Sequence, residues 1–133
     1  MVDQNILVFV RITISAFLMI VFIQSGLDKI IDKAGNLDWL KEHFSKTFLK
    51  NSVPYLLIVL TILEIVSGLL FFVGIIFYLA YDQSQYIILG LIISNITILC
   101  LFFGQRVAKD YVAAADLVNY FILSVIGLLV FLY

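Results

Sequence analysis

Polar side chains interrupt the apolar stretches of this chain, and four of them are the first candidates for chemistry inside those stretches. They are Arg11, Glu64, Asn95 and Asp116. Glu64 lies in the segment "LTILEIVSGLL", and no Lys or Arg occurs within ten positions on either side of it. Ionisable side chains in such surroundings are energetically costly, and they commonly mark a binding site or a proton path. Glu64 is therefore the first candidate for a functional residue.

A second polar group lies where the apolar stretches end. It consists of Ser25, Asp28, Lys29, Arg106 and Asp110. This group is a candidate polar site at the ends of the spans.

The composition indicates which elements position these residues. Hydrophobic residues make up 64% of the 133-residue chain and charged residues only 13%, whereas a soluble domain of this size needs far more polar residues to cover its surface. Each of four apolar runs is near the roughly 20 residues that cross the hydrocarbon core as a helix. We predict an all-α integral membrane bundle that forms a single domain over residues 1–133, with transmembrane helices over approximately 5–31, 54–81, 85–103 and 110–133.

The connection between the first two spans has a pattern of its own. Leu37, Leu40, Phe44 and Phe48 follow helical spacing, with charged residues elsewhere around the wheel. This predicts a short amphipathic helix over approximately 36–50 that lies on the membrane surface. It would serve either as a lid over the polar end of the bundle, or as a docking surface or gate for a lipid-soluble molecule.

The charge distribution predicts the topology. Outside the spans, the side that holds both termini and the turn 82–85 has no Lys or Arg, whereas the first and last connections hold seven. The positive-inside rule places those two connections in the cytoplasm and the termini outside, in a bacterial-type cytoplasmic membrane. The first span is expected to be retained and not cleaved as a signal peptide, since Asp3 precedes it and Arg11 interrupts it.

Helical geometry predicts that the interior polar residues converge. At about 1.5 Å per residue, Glu64 comes roughly 15 Å into its span, near the bilayer centre, and Asn95 reaches nearly the same level. Arg11 lies roughly 7 to 8 Å deep from the outer side, so its long side chain could approach Glu64. Asp116 lies on the cytoplasmic side of that level. We expect Glu64 to face the bundle interior, either paired with Arg11 or hydrogen-bonded to Asn95.

Two roles for this cluster stay open. Burial disfavours a charged carboxylate, so a neutral glutamic acid that donates to Asn95 is an alternative to an ion pair. The cluster could be a clamp that fixes the register between the helices. It could equally be a site that binds a ligand or handles a proton.

The residues that the chain lacks restrict its chemistry. With Cys100 as its only cysteine and His43 as its only histidine, one copy has neither a dithiol pair nor the histidine pair of an intramembrane haem. No glycine-rich phosphate loop precedes a helix. The sequence predicts no metal ion, no covalent cofactor and no nucleic-acid partner, and catalysis by this chain alone is not expected.

Three segments resemble the DoxX-like family of small four-helix membrane proteins. They are "FIQSGLDKI", "EIVSGLLFFVG" and "GQRVAKDYVAAADLV". The resemblance spans nearly the whole chain, with these segments in the same order. The resemblance assigns recurring positions to Arg11, Ser25, Gly26, Lys29, Glu64, Gly68 and Gly74. Members of the DoxX-like family are similar to a membrane subunit of quinone-linked sulfur oxidation, and many are described as membrane partners of redox proteins.

The resemblance implies an integral membrane accessory or anchoring subunit of a larger complex, associated with quinone-linked redox proteins. A quinone-interacting subunit of an oxidoreductase is the first alternative, and a small transporter or membrane chaperone is the second. Complete side-chain packing would favour the accessory role. An open apolar cleft ending at Glu64 or Arg11 would favour quinone binding.

Overall fold

A computed structural model describes residues 2–133 of the chain, and within them it is all helical. In chain order the helices are α1 (Gln4–Ile31), α2 (Lys33–His43), α3 (Val53–Tyr81), α4 (Gln85–Val107) and α5 (Tyr111–Leu129), with a short 3-10 turn at Lys50–Ser52 before α3. By length and composition α1, α3, α4 and α5 can each cross a membrane. Large apolar side chains are exposed along all four, which is the surface that a bilayer covers. The predicted four-helix membrane architecture is confirmed at this level.

The ends of the helices follow local chemistry. Asp3 begins α1 by accepting hydrogen bonds from the backbone N–H groups of Asn5 and Ile6, and Asp110 begins α5 by accepting one from Ala113. These are the side-chain caps that satisfy free N–H groups in a first turn. The four long helices run alternately up and down. We call the end that holds the α1–α3 and α4–α5 links the connection end, and the other end the terminal end.

Glycines bring α1 and α3 close together. A Cβ atom at Gly26 would lie 2.6 Å from Ile65 Cδ1, and one at Gly68 would overlap the side chain of Ile23. Small residues of this kind allow transmembrane helices to approach closely. The contacts fix the register between the two antiparallel helices and place Glu64 level with the last two turns of α1.

Neighbouring spans do not contact each other equally. The pairs α1 with α3, α3 with α4 and α4 with α5 pack along much of their length, whereas α1 and α5 touch little. Their contacts include Arg11, which hydrogen-bonds the carbonyl of Val130, and the tilted rings of Phe17 and Tyr120. The seam between α1 and α5 is therefore joined at the terminal end and loosely filled toward the connection end.

The short helix in the first connection differs from its prediction. It covers Lys33–His43 rather than approximately 36–50, because α1 breaks at Asp32, whose carboxylate caps the new helix at Gly35 N–H. After His43 the chain turns, and Thr47 accepts from Leu49 N–H. No residue within α2 itself is buried, whereas Phe44 immediately after it is. The side chains from Leu40 to Leu49 close over α3 and α4, so we call residues 40–49 the lid.

Candidate functional site

The polar centre of the bundle is an ion pair between Glu64 on α3 and Lys29 on α1. Lys29 Nζ lies 3.1 Å from Glu64 Oε2 and also donates to Ser25 Oγ at 2.9 Å. The exposed fraction is 2% for the Glu64 side chain and 15% for that of Lys29. The carboxylate is thus buried at the level of the bundle interior, and its cation reaches it from the end of α1.

The backbone explains why Lys29 reaches Glu64. Ser25 and Lys29 are one helical turn apart, so both side chains lie on the same face of α1. Side chains on a helix lean toward its N-terminus, which for Lys29 means back into the bundle. The close approach of α1 and α3 at Gly26 and Gly68 then brings that face onto Glu64.

The ion pair leaves part of the carboxylate free. Glu64 Oε2 faces Lys29, whereas Glu64 Oε1 makes no hydrogen bond with any residue that the structure describes. An ionised carboxylate accepts through both oxygens. Glu64 therefore combines a partly neutralised charge with an unused acceptor.

The same carboxylate lines a crevice of about 260 Å³ at the loosely filled part of the α1–α5 seam. We call it the Glu64 crevice. Its walls come from α1, α3, α4 and α5, and its lining residues are Val21, Phe22, Gln24, Ser25, Glu64, Ile98, Leu101, Leu117 and Tyr120. Apolar walls with a few polar groups are the usual composition of a site for a small organic ligand.

The predicted pairing of Arg11 with Glu64 is wrong. Arg11 lies at the terminal end, where Nε donates to the carbonyl of Val130 at 3.0 Å and one terminal nitrogen donates to the Tyr78 hydroxyl at 3.1 Å. Its guanidinium also lies 4.9 Å from the ring centre of Phe131, within the range of a cation–π contact. These contacts tie the end of the chain to α1 and α3.

Asn95 and Asp116 also lie away from Glu64. Asn95 donates from Nδ2 to Ser124 Oγ at 3.0 Å, which joins α4 to α5. Asp116 is exposed on α5. The four residues predicted to converge therefore lie in four separate places, and the hydrogen bond expected between Asn95 and Glu64 does not form.

The predicted end group is divided in a similar way. Ser25 and Lys29 belong with Glu64, whereas Asp28 accepts from Asn36 Nδ2 at 3.2 Å and holds the start of α2. Arg106 is exposed, with its guanidinium 4.5 Å from the ring centre of Tyr111. Asp110 caps α5 and lies 3.8 Å from His43 Nε2.

His43 is a structural contact that the sequence did not indicate. Its Nε2 lies 2.6 Å from Gln105 Oε1, within hydrogen-bonding distance. Its ring also stacks on Trp39 at 4.4 Å between centroids. His43 therefore fastens the lid to the end of α4. Across residues 2–133, the His, Cys, Asp and Glu side chains form no group suited to hold a metal ion.

A second and larger opening lies under the lid. It has a volume of about 570 Å³ and is bounded by the lid, α3 and α4. We call it the lid cleft. Phe44 closes one end by packing against Gly104, and Gln105 is the one amide side chain in its lining. The apolar spacing of the connection predicted that this segment would cover the bundle, but it did not indicate a cleft of this size.

No protein-family model matches the chain, and no curated protein or solved structure matches it either.

Proposed function

We propose that this protein is an integral membrane subunit that holds the head group of a quinone beside a redox partner. The observation that carries the proposal is the Glu64 crevice, an apolar opening in the bundle that ends at a buried carboxylate with an unused oxygen. The opening lies in the seam between two spans, where a lipid-soluble ring can enter from the bilayer.

The polar groups of the crevice suit both redox forms of such a ring. The side chains of Gln24, Ser25 and Tyr120 carry donors in the wall. Lys29 lies outside the lining but contacts Glu64 Oε2 at 3.1 Å. These donors can bind the carbonyl oxygens of a quinone, and Glu64 Oε1 can accept from the hydroxyl of a quinol. The tail would remain in the surrounding lipid.

The size of the crevice favours a single ring. A buried apolar cavity of about 150 Å³ accommodates benzene, and the Glu64 crevice has about 260 Å³. That space suits one substituted ring and is too small for a ring together with a long isoprenoid tail. The ligand would therefore be anchored by its head group only.

A second polypeptide would have to supply the electrons, because the chain has no dithiol pair and no histidine pair for haem. The resemblance to the DoxX-like family supports a place among quinone-linked redox proteins, as an accessory subunit. The positive-inside rule supports a cytoplasmic location for the connection end, in a bacterial-type cytoplasmic membrane.

Titration of decylubiquinone into the purified chain in mild detergent tests the proposal. We expect saturable binding that Glu64→Gln and Lys29→Met each weaken at least fivefold. Asp116→Asn is the matched control, since it also neutralises a carboxylate within a span but lies outside the crevice lining. Binding that is unchanged in both Glu64→Gln and Lys29→Met would contradict the proposal.

An accessory subunit without a ligand is the second candidate, and the two partners of Lys29 favour it. Lys29 has both Glu64 and Ser25 as partners, as expected of a clamp that fixes helix register. Gentle purification from the native membrane separates the two candidates. Redox subunits recovered with stoichiometric quinone favour the first, whereas a stable complex without quinone favours the second.

A further inference from the structure

We infer that the lid cleft is a binding site for one acyl chain of an anionic phospholipid. This site is separate from the Glu64 crevice, and its occupant does not depend on the proposed quinone. It combines three properties: an apolar interior, an elongated shape along the helices, and surrounding segments whose net charge is positive.

The interior of the cleft suits a hydrocarbon chain. Leu40, Phe44 and Leu49 cover it from the lid, and its one amide side chain is Gln105, at the connection end. Its volume of about 570 Å³ lies within the range of about 300 to 1,000 Å³ typical of ligand sites. A surface this apolar has no favourable contact to offer a charged or strongly polar molecule.

The shape of the cleft follows the helix axes. On α3 its lining extends from Leu56 to Leu63, and on α4 from Leu99 to Gln105. At about 1.5 Å per residue, these stretches are roughly 9 to 10 Å long. The cleft thus runs from the connection end toward the middle of the spans, parallel to the acyl chains of a surrounding bilayer.

The charges around the cleft select the head group. The segments 40–63 and 99–110, which contain its whole lining, carry five cations and two acidic residues. The cations are all exposed, and they are Lys41, Lys46, Lys50, Arg106 and Lys109. The acidic residues are Glu42 and Asp110, so the net charge around the cleft is positive. Basic residues near a membrane surface attract anionic lipids, by about fivefold in affinity for each residue. The head group would lie among these cations, with its acyl chain under the lid.

Native mass spectrometry of the full chain tests this inference. The purified protein is mixed with phosphatidylglycerol or phosphatidylcholine carrying identical acyl chains, and the retained lipid is measured. We expect wild type to retain phosphatidylglycerol at least fivefold more than phosphatidylcholine. Lys46→Gln/Lys50→Gln should reduce that preference at least fivefold, whereas the control Lys33→Gln, at an exposed position of α2 outside the lid, should leave it within twofold of wild type.

A second variant tests the interior. Leu60→Trp fills the cleft from α3 and should reduce retention of both lipids at least fivefold. Leu69→Trp, the same change at an exposed position of α3 outside the cleft, should not. Equal retention of the two lipids by wild type, or unchanged retention in Leu60→Trp, would overturn the inference.

Wild type alone provides an independent readout if Leu60→Trp fails to fold. Phosphatidylglycerol with a photoreactive diazirine in its acyl chain is crosslinked to the protein in nanodiscs, and adducts are mapped by peptide mass spectrometry. The yield of adducts on residues 56–63 and 99–105 should be at least fivefold higher than on the lipid-facing segment 121–129 of α5. An even distribution of adducts over the spans would overturn the inference. Displacement of the lipid from the cleft by decylubiquinone, or by a protein partner that occupies the cleft, would also overturn it.

Discussion

Removal of Lys29 should be more damaging than removal of Glu64, although the two residues form one ion pair. In Lys29→Met the Glu64 carboxylate, 2% exposed, loses its cation inside the bundle. Breaking a buried pair from one side costs about 3 to 5 kcal/mol. We expect Lys29→Met to lower the free energy of unfolding by about 3 kcal/mol.

The reverse change should cost less. In Glu64→Gln the ammonium of Lys29 keeps Ser25 as an acceptor, and its side chain, 15% exposed and near the end of α1, can turn toward the membrane interface. We expect a loss of about 1 to 2 kcal/mol. The double variant should lose less than the sum of the two single losses, with a coupling energy of about 1 to 3 kcal/mol.

Reversible unfolding in detergent micelles, followed by circular dichroism, measures this cycle. Lys33→Met is the matched control, because Lys33 is exposed at the start of α2, and it should change the free energy by less than about 0.5 kcal/mol. Additive losses in the double variant would refute the reasoning, because they would mean that the 3.1 Å contact contributes nothing to stability.

Three further predictions concern other parts of the bundle. Arg11→Met should lower the free energy of unfolding by about 1 to 3 kcal/mol, because its acceptors at the terminal end lose their donor. The same variant should leave the affinity for decylubiquinone unchanged in titrations. A loss of that affinity would count against quinone binding in the Glu64 crevice. Ser67→Ala should be neutral or stabilising in chemical denaturation, since its buried hydroxyl has no partner among residues 2–133, whereas Ser124→Ala should destabilise. His43→Ala should speed hydrogen exchange of the backbone amides in 44–52 about fivefold, because it removes the hydrogen bond to Gln105, which contributes about 1 kcal/mol. Unchanged exchange would show that His43 does not hold the lid.

The four spans could be predicted from the sequence because their length and apolar composition leave few alternatives. The burial of Glu64 followed from the cost of exposing a carboxylate to lipid. Its partner did not follow, because Arg11 and Lys29 are 18 residues apart, five full turns, and therefore lie on the same face of α1. Only the level along the helix distinguishes them.

That level depended on the register between α1 and α3. The depth argument assumed about 30 Å of hydrocarbon, whereas helices of 28 and 29 residues are about 42 Å long. The contacts of Gly26 with Ile65 and of Ile23 with Gly68 place Glu64 level with residue 27 of α1. Arg11 lies roughly 24 Å away along the axis, beyond the reach of its side chain.

The lid shows a different limit of sequence reasoning. Its apolar spacing predicted a helix up to residue 50, but the helix ends at His43. Phe44 then turns into the bundle against Gly104, and His43 hydrogen-bonds Gln105. These are contacts between residues about 60 positions apart, and helical periodicity carries no information about them.

The most direct test of quinone binding at the ion pair is solid-state NMR of the protein in lipid bilayers. The lysine Nζ atoms are labelled with ¹⁵N, and a quinone is labelled with ¹³C at its ring carbonyls. Of the six lysines in the chain, Lys29 is the one in contact with Glu64. We predict a dipolar contact between the quinone carbonyl and a lysine nitrogen that disappears in Lys29→Met. No contact in wild type, or a contact that persists in Lys29→Met, would contradict the proposed site.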